Sequence, residues 1–399
     1  MTNDDDLESL LRKDRVRFPD GGFGVPEEFW LEHYQFLKDH GYELRPRYRP
    51  GWVRSWKDTD KIFYVCEDGV IPQVSMVIFV LLLAEERLHP MQYGQIIDAI
   101  HVPTCTMVAL KKIDPRIFRD EERNMRHLSS GNLGADPRNH CVPLLEVLRL
   151  PEPVHRDILV MPYLRPFTSP PFETVGEVVE CIHQLFEGLE YLHENKIAHR
   201  DINPNNFMME GQDICIGGSH PQQPEGKPDM SGPANFSTRT DRPQRYFLID
   251  FGQTVIYTPE DITHILPIVW GGDKSVPEFF TGIPFHDPYA TDVYCAGNLI
   301  RCEFTEGHPI PEWGRGYRGL DFLKPLVSDM VQDDPFKRPT MKEVVRRYNE
   351  LIGGLSPWTL RSRIVLRETG FFTNIFHAIK HWICRIKYII WRISAIPRP

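Results

Sequence analysis

Short apolar runs dominate the first half of the chain and predict β-strands. Each run spans eight or nine residues and lacks a helical repeat, which is typical of strands buried on one or both faces. Pro162 falls within the third run, and a proline there cannot donate to a sheet ladder, so we expect that strand to end near it. The runs are TMVALKKI (106–113), VPLLEVLRL (142–150) and DILVMPYL (157–164).

Helical spacing replaces these runs after Pro170-Pro171. Thr174 and Glu177 have the spacing of a capping box, in which the two side chains satisfy amide groups at a helix start. The apolar residues that follow recur every three or four positions: Val178, Ile182, Leu185, Leu189 and Leu192. Two further helices are predicted, over FWLEHYQFLKDHGY (29–42) and RIFRDEERNMRHLSS (116–130).

Strands first and helices second indicate an α+β protein with two lobes. We expect an N-terminal extension over residues 1–65 and a domain over 66–355, with a small lobe to about 163 and a large lobe over 164–355. The extension contains RPRYRPGW, which is too rich in Pro and Arg for regular structure. Residues 210–245 are rich in Gly, Pro, Ser and Gln and predict a mobile insertion loop.

Composition narrows the classes of function. The formal charge of −9 makes nucleic acid a poor partner, because an acidic surface repels phosphate backbones. The eight cysteines show no paired spacing, which argues against a zinc ribbon or a disulfide framework and fits a reducing, intracellular compartment. The N-terminus is acidic and polar, unlike a secretory signal.

One apolar segment interrupts the start of the small lobe. VSMVIFVLLLAEERLHPMQ (74–92) lies between polar stretches, and its apolar part, VSMVIFVLLLA (74–84), is too short to span a membrane. A buried helix is the ordinary expectation for such a run. A retained intron is the alternative, because deletion of the segment joins its flanks in frame.

The C-terminal tail, residues 356–399, ends in a basic amphipathic pattern over 371–396. Isoleucines and aromatic residues recur at helical intervals, and lysines and arginines fall largely between them. Two arrangements remain open. The helix either docks its apolar face on the large lobe or makes peripheral contact with an anionic membrane.

Five polar residues stand in short motifs whose order carries the functional signal. VALK ends in Lys111, and Glu121 follows on the predicted helix 116–130. HRD supplies Asp201, with Asn206 five residues later, and DFG supplies Asp250. Each residue alone has an ordinary reading, since a strand lysine is usually a solvated charge and an Asp before Gly is most often a turn residue.

Taken in order, these motifs resemble the signature set of the eukaryotic protein kinase superfamily over roughly residues 95–355. The resemblance implies ATP and Mg²⁺ as cofactors and a protein hydroxyl as substrate. Lys111 would clamp the phosphates with Glu121 holding it, Asn206 and Asp250 would bind Mg²⁺, and Asp201 would accept the hydroxyl proton. The resemblance further implies that Asp292 braces the catalytic loop and that Glu278 pairs with Arg338.

Three departures from the kinase pattern matter for function: the first concerns the cover over the ATP phosphates, and the other two concern the substrate side. No glycine-rich loop precedes Lys111, and the matching segment has only Gly94. Asn203 stands where Ser/Thr kinases usually place a lysine that touches the transferred phosphate. Gly271 stands where a threonine usually partners that lysine. Because the last two losses go together, they indicate a remodelled substrate side.

HRDINPNN, the long polar insertion before DFG and the RPRYRPGW segment are similar to segments of an expanded kinase-like family of filamentous fungi.

Three candidate functions are compatible with these motifs and departures. The first is an ATP- and Mg²⁺-dependent Ser/Thr protein kinase, with Asp201, Lys111 and Asn206 as the catalytic residues. The second is a pseudokinase scaffold that binds partners or nucleotide without catalysis. The third is a kinase-fold enzyme that acts on a small molecule.

Overall fold

The computed structural model describes residues 25–61, 65–69, 94–258, 261, 264–308, 316–367 and 371–399. The chain divides into two compact units. Unit 1 contains Met1–Pro115, Leu145–Tyr163 and Cys215–Asn235, and unit 2 contains Arg116–Leu144, Leu164–Ile214 and Phe236–Pro399. The main sheet lies in the first unit and the long helices lie in the second. The α+β prediction, with a small β-rich lobe and a larger helical lobe, is therefore confirmed.

The described strands are β1 (Tyr42–Leu44), β2 (Ile96–His101), β3 (Thr106–Ile113), β4 (Glu146–Arg149), β5 (Asp157–Pro162), β6 (Arg165–Pro166), β7 (Ile197–Ala198), β8 (Phe207–Met209), β9 (Cys215–Ile216), β10 (Asn235–Phe236), β11 (Tyr246–Leu248), β12 (Val255–Ile256), β13 (Leu266–Pro267), β14 (Phe285–His286), β15 (Tyr317–Arg318) and β16 (Val365–Leu366). The described helices are α1 (Val25–Glu32), α2 (Tyr34–Asp39), α3 (Arg119–Ser129), α4 (Gly131–Ala135), α5 (Val175–Glu194), α6 (Pro288–Ile300), α7 (Lys324–Met330), α8 (Met341–Gly353), α9 (Pro357–Leu360) and α10 (Phe371–Ile390).

Unit 1 is built on an antiparallel five-stranded sheet in the order β1-β2-β3-β5-β4. All three predicted strand regions contribute to this sheet, and β5 ends at Pro162 as expected. Lys111 pairs with Ile96 on β2 and with Leu159 on β5. This central position explains why Lys111 is buried although it is charged.

The N-terminal extension supplies much of the core of unit 1. The single helix predicted over 29–42 is two short helices, α1 and α2, and the chain turns at Gly41, whose φ is +84°. Trp30 and Tyr48 are fully buried against the sheet. β1, from the same extension, forms one edge of that sheet.

The Pro- and Arg-rich segment is more ordered than its composition predicts. Pro46–Tyr48 forms a 3₁₀ turn, and the side chain of Arg47 is fully buried. Arg47 pairs with Glu27 at 3.0 Å and donates to the Asp68 carbonyl at 2.7 Å. Arg47 therefore acts as a buried connector, because both of its terminal nitrogens find acceptors inside the unit.

The polar segment 210–245, predicted as a mobile loop, makes specific contacts in the structure. Within unit 1, Gln222 donates to Asp98 at 2.5 Å, and Tyr163 donates to the Pro221 carbonyl at 2.6 Å. Within unit 2, Arg239 is buried and donates to the Phe167 carbonyl at 2.7 Å. Side-chain hydrogen bonds thus fix a segment that has too few apolar residues to form a core of its own.

The 20-residue helix α5 lies at the centre of unit 2. Its N-terminus carries the predicted capping box, in which the Thr174 hydroxyl accepts from the Glu177 amide and the Glu177 side chain accepts in return. The same carboxylate accepts from the Thr240 amide at 3.0 Å. The ring of Phe186 meets that of Tyr348 on α8 edge-on, with centroids 5.2 Å apart.

The C-terminal helix α10 docks on unit 2, but through its polar side. His381, Arg385 and Tyr388 are buried, whereas the five isoleucines from Ile379 to Ile390 are exposed. The arrangement in which the apolar face docks is therefore wrong for the described part of the tail. None of the described helices is long and apolar enough to cross a membrane. The apolar run 74–92, read as a buried helix or a retained intron, lies outside the described residues.

Candidate active site

Asp292 fixes the loop that carries Asp201 by accepting hydrogen bonds from two of its backbone amides. This fully buried residue of α6 accepts the His199 amide at 2.8 Å and the Arg200 amide at 2.7 Å, one on each carboxylate oxygen. Hydrogen bonds to a buried carboxylate are among the stronger ones in proteins. The role that the kinase resemblance assigned to Asp292 is therefore confirmed by its contacts.

His199 connects this loop to the DFG segment. Its Nε2 donates to the Ile249 carbonyl at 3.1 Å, and its Nδ1 accepts from the Asp201 amide at 3.3 Å. A carbonyl can only accept and an amide can only donate, so the two partners place the ring hydrogen on Nε2. The ring also lies against Phe251, with centroids 5.2 Å apart.

Three donors hold the carboxylate of Asp201. Asn206 Nδ2 donates to Oδ2 at 2.9 Å and Asn203 Nδ2 donates to Oδ1 at 3.0 Å. The backbone amide of Gly272 donates to the same Oδ1 at 2.6 Å. A carboxylate offers about four acceptor positions, so the described donors leave one position, on Oδ2.

Two glycines allow the backbone to approach this carboxylate. A Cβ atom on Gly271 would lie 2.7 Å from Asp201 Oδ1, and one on Gly272 would lie 2.5 Å from Asn203 Nδ2. Both distances are shorter than real Cβ contacts. The structure therefore brings the two sequence departures, Asn203 and Gly271, to the same place. It also adds Gly272, which the sequence comparison with kinases missed.

Asp250 follows β11 and adopts a left-handed conformation, with φ of +65° and ψ of +76°. A Cβ on Gly252 would lie 3.4 Å from Asp250 Oδ1 and 3.6 Å from Glu121 Oε2, so both carboxylates lie beside this glycine. Glu121 is buried on α3. Unit 2 thus brings together four of the five predicted residues in two groups: Asp201 with Asn206, and Asp250 with Glu121.

Asn124 is a site residue that the sequence interpretation missed. It is fully buried on α3 and donates to the carbonyls of Phe251 at 3.1 Å and of Thr254 at 2.8 Å. It therefore ties the helix that carries Glu121 to the turn that carries Asp250. The signal was present in the spacing, since positions 121, 124, 125 and 128 form one buried helix face.

Arg200 and Arg338 bind two residues of the segment that follows DFG, Pro267 and Glu278. Arg200 donates to the Pro267 carbonyl at 2.7 Å, and burial lowers the pKa of its guanidinium. Arg338 donates to both oxygens of Glu278, at 2.8 and 2.7 Å, as the resemblance implied. Burial alone would raise the pKa of Glu278, but the hydrogen bonds and charge of Arg338 outweigh it and lower that pKa.

Lys111 belongs to unit 1, where it is buried on β3. The segment before it, expected to lack a glycine-rich loop, continues as the regular strand β2, and Gly94 precedes it with φ of +73°. Asp98 on β2 is buried and pairs with Arg45 at 3.1 Å. The pairing of Lys111 with Glu121, which belongs to unit 2, stays a prediction.

The oxygen ligands in unit 2 fit a magnesium ion in type. Asn206 Nδ2 donates to Asp201, to both Oδ2 and the backbone carbonyl, which directs the Asn206 amide oxygen away from that residue. Asp250 adds a carboxylate. Mg²⁺ typically takes one or two such protein ligands and completes its shell with phosphates and water. Among the described residues, no group of three or more His, Cys, Asp or Glu side chains is arranged to hold a metal.

The comparisons with known proteins agree with this geometry. A family model described as "Protein kinase domain" matches residues 91–217, a range that holds Lys111, Glu121, Asp201 and Asn206. The match covers about a third of the chain, which over that range is similar to protein kinase domains.

Three curated protein kinases are similar to this chain. The probable serine/threonine-protein kinase KCC4 of Saccharomyces cerevisiae is 25% identical over 194 residues, which cover 48% of this chain and 15% of that protein. A Wee1-like protein kinase of Oryza sativa is 24% identical, covering 43% and 28%. A probable serine/threonine-protein kinase of Dictyostelium discoideum is 25% identical, covering 64% and 54%. The chain thus spans about half or less of the length of these relatives.

Proposed function

We propose that this chain transfers a phosphoryl group from ATP, with Mg²⁺, to serine or threonine hydroxyls of protein substrates. The observation that carries the proposal is the hydrogen bonding of the Asp201 carboxylate. Asn206 orients the carboxylate through Oδ2, yet the described donors leave one acceptor position on that oxygen. A substrate hydroxyl could donate there and pass its proton to Asp201 as it attacks.

The other residues would position the nucleotide and neutralise the negative charge of its phosphates. Asn206 and Asp250 would bind Mg²⁺, Lys111 would contact the phosphates, and Glu121 would orient Lys111. When bound, the magnesium–nucleotide supplies the phosphoryl group and spreads its charge. The hydrogen bonds of the buried Asp292 and Asn124 side chains support this proposal, because they fix the geometry of the loop that carries Asp201 and of the turn that carries Asp250.

The substrate side would work without the usual lysine. Asn203 and the Gly272 amide hold Asp201 Oδ1 in its place, and neither brings a positive charge. A transition state that gathers negative charge is stabilised less by neutral donors than by a lysine. We therefore expect turnover that is slow for a protein kinase.

A pseudokinase is the second function, and the Gly272 contact favours it. A backbone amide that bonds to Asp201 Oδ1 at 2.6 Å brings the segment 271–272 against the catalytic carboxylate. If this contact persists when substrate arrives, it crowds the carboxylate and hinders a hydroxyl from reaching the remaining position on Oδ2. The chain would then bind nucleotide or partners without transfer.

Transfer of label from ATP to a generic protein substrate separates the two functions. The purified chain is incubated with Mg²⁺ beside Asp201→Asn and Asp250→Asn, with Arg126→Ala as a control variant on the exposed side of α3. We expect transfer by the wild type and by Arg126→Ala, and its loss in both Asp variants. Transfer no higher than in the Asp variants, with a thermal shift on adding nucleotide, would favour the pseudokinase. No transfer and no thermal shift would leave only a scaffold that binds partners without nucleotide.

The protein substrate and an intracellular setting belong to the same proposal. The formal charge of −9 supports a partner other than nucleic acid. All eight cysteines are free in the structure, which supports a reducing compartment.

A further inference from the structure

Helix α10 exposes its apolar face and buries its polar face, the reverse of an ordinary surface helix. Five large apolar residues on one side of it have exposures between 48% and 68%: Ile379, Trp382, Ile383, Ile386 and Ile390; Trp391, just after the helix, is 67% exposed. Their spacing of three and four positions aligns them along one stripe. A contiguous apolar stripe of this kind on a protein surface usually marks an interaction site.

The opposite face fixes the helix to unit 2. The Arg385 guanidinium lies 3.5 Å from the ring centroid of Trp358 and donates to the Trp358 carbonyl at 2.6 Å. Tyr388 donates to Asp241 at 2.9 Å, and Lys387 bonds to the same carboxylate at 3.0 Å. The exposed stripe is therefore presented by a helix whose orientation is set by specific polar contacts.

The chain beyond α10 returns to unit 2 and fixes the second end. Arg361 donates to the Ile393 carbonyl. A Cβ on Gly176 would lie 1.8 Å from the Ala395 carbonyl oxygen, so only a glycine on α5 leaves room for this segment. Because the C-terminal half of the helix and the segment after it are both held by unit 2, a small rotation that buries the apolar stripe would break several of these contacts.

Charge identifies the occupant of the stripe. The chain carries a net charge of −9, yet residues 371–399 contain five Lys and Arg residues and no Asp or Glu. A second copy of the same basic helix would repel the first, whereas an anionic lipid surface attracts it. Trp382 and Trp391 border the stripe, and exposed tryptophans prefer the boundary between lipid tails and headgroups.

We propose that α10 is a membrane-surface docking element. The helix lies in the plane of the membrane surface, and its isoleucine stripe enters the boundary between the headgroups and acyl chains of an anionic bilayer. The Arg385 and Tyr388 contacts hold unit 2 on the side of the helix that faces away from the bilayer. The exposed basic residue just after the helix, Arg392, meets the lipid phosphates. This role is independent of whether the chain transfers phosphate.

Vesicle flotation of the full chain tests the proposal. We expect flotation with phosphatidylcholine vesicles that contain phosphatidylserine, and weaker flotation with phosphatidylcholine alone. Replacement of Ile379, Ile383, Ile386 and Ile390 by Gln keeps good helix formers and should lower partitioning at least about tenfold. The matched control replaces two equally exposed apolar residues elsewhere in unit 2, Ile283 and Phe336, by Gln and should float like the wild type.

Tryptophan quenching by lipids with brominated acyl chains gives a second reading. Insertion of the stripe brings Trp382 and Trp391 within reach of the bromines, and replacement of both by Phe should remove most of the quenching. Wild-type protein that does not float, or a four-Gln variant that floats equally well, would overturn the proposal. So would a concentration-dependent dimer, detected by sedimentation, that the four-Gln variant abolishes while the wild type ignores vesicles.

Discussion

Single side chains set the chemistry of Asp201. Asn203 is shorter than a lysine and ends in an amide, so the backbone at Gly271 and Gly272 has room to move in and donate directly. One charged side chain is thus replaced by an amide pair and a close backbone approach. This exchange preserves the orientation of the carboxylate but removes a positive charge from the substrate side.

Replacement of Gly272 by Ala tests this close approach. The added Cβ cannot fit 2.5 Å from Asn203 Nδ2, so the segment must shift and lose its bond to Asp201. We expect the free energy of unfolding to fall by roughly 1–3 kcal/mol, the range for a lost hydrogen bond to a charged group. Chemical denaturation measures it. Gly353→Ala, where a Cβ meets no atom within 4 Å, is the control. Equal stability of the two variants would contradict the contact.

His220 predicts a pH dependence of stability. It is fully buried in unit 1, and burial together with the charge of Arg45 lowers its pKa from 6.5 to about 4. Its Nδ1 accepts the Gln222 amide at 3.2 Å, which requires an unprotonated nitrogen. Because the unfolded chain takes up the proton first, stability should fall as pH drops from 6.5 towards about 4.

Urea midpoints of wild type and His220→Gln, measured across that pH window, check the prediction. The difference between the two curves isolates this residue from the carboxylates that titrate nearby. We expect the wild type to lose stability relative to the variant as the pH falls. Parallel curves would show that His220 does not titrate with folding.

At the scale of elements, α3 and the DFG turn behave as one unit through Asn124. The helix carries Glu121 and the turn carries Asp250, and the two hydrogen bonds from Asn124 fix the distance between them. The position of one predicted nucleotide-site residue therefore depends on the position of another. Helix propensity alone would leave that relation open.

Replacement of Asn124 by Leu leaves two buried carbonyls without their donor. We expect a loss of about 1–3 kcal/mol in the free energy of unfolding, with faster amide hydrogen exchange in residues 251–254. Arg126→Ala removes only an exposed ion pair of the same helix and should cost less than about 1 kcal/mol. If exchange in residues 251–254 matches the wild type, α3 and the turn are not coupled in this way.

At the scale of the whole molecule, the large unit relies on the ion pair between Glu278 and Arg338. The two residues are 60 positions apart and both are buried. Arg338→Met should cost about 3–5 kcal/mol, because it leaves a buried carboxylate without its counter-charge. The double variant Glu278→Gln with Arg338→Met should be more stable than Arg338→Met alone. Thermal unfolding measures both, and additive losses would contradict the explanation.

The sequence determined the elements and the motif residues because local patterns specify them. Strand β3, the capping box of α5 and the helix that carries Glu121 follow from residues within a few positions of one another. The resemblance to the kinase superfamily, carried by the order of Lys111, Glu121, Asp201, Asn206 and Asp250, follows for the same reason. The roles of Asp292 and of the Glu278–Arg338 pair followed from that resemblance.

The tertiary structure decided what depends on partners distant in sequence. The burial of Arg47, the anchor of Asn124 and the approach of Gly272 to Asp201 join residues that are 20 to 130 positions apart. The sequence left open which face of α10 packs on unit 2 for a related reason. Amphipathicity predicts that a helix has two faces, but the acceptors that Arg385 and Tyr388 find on unit 2 select the face that docks and leave the isoleucines exposed.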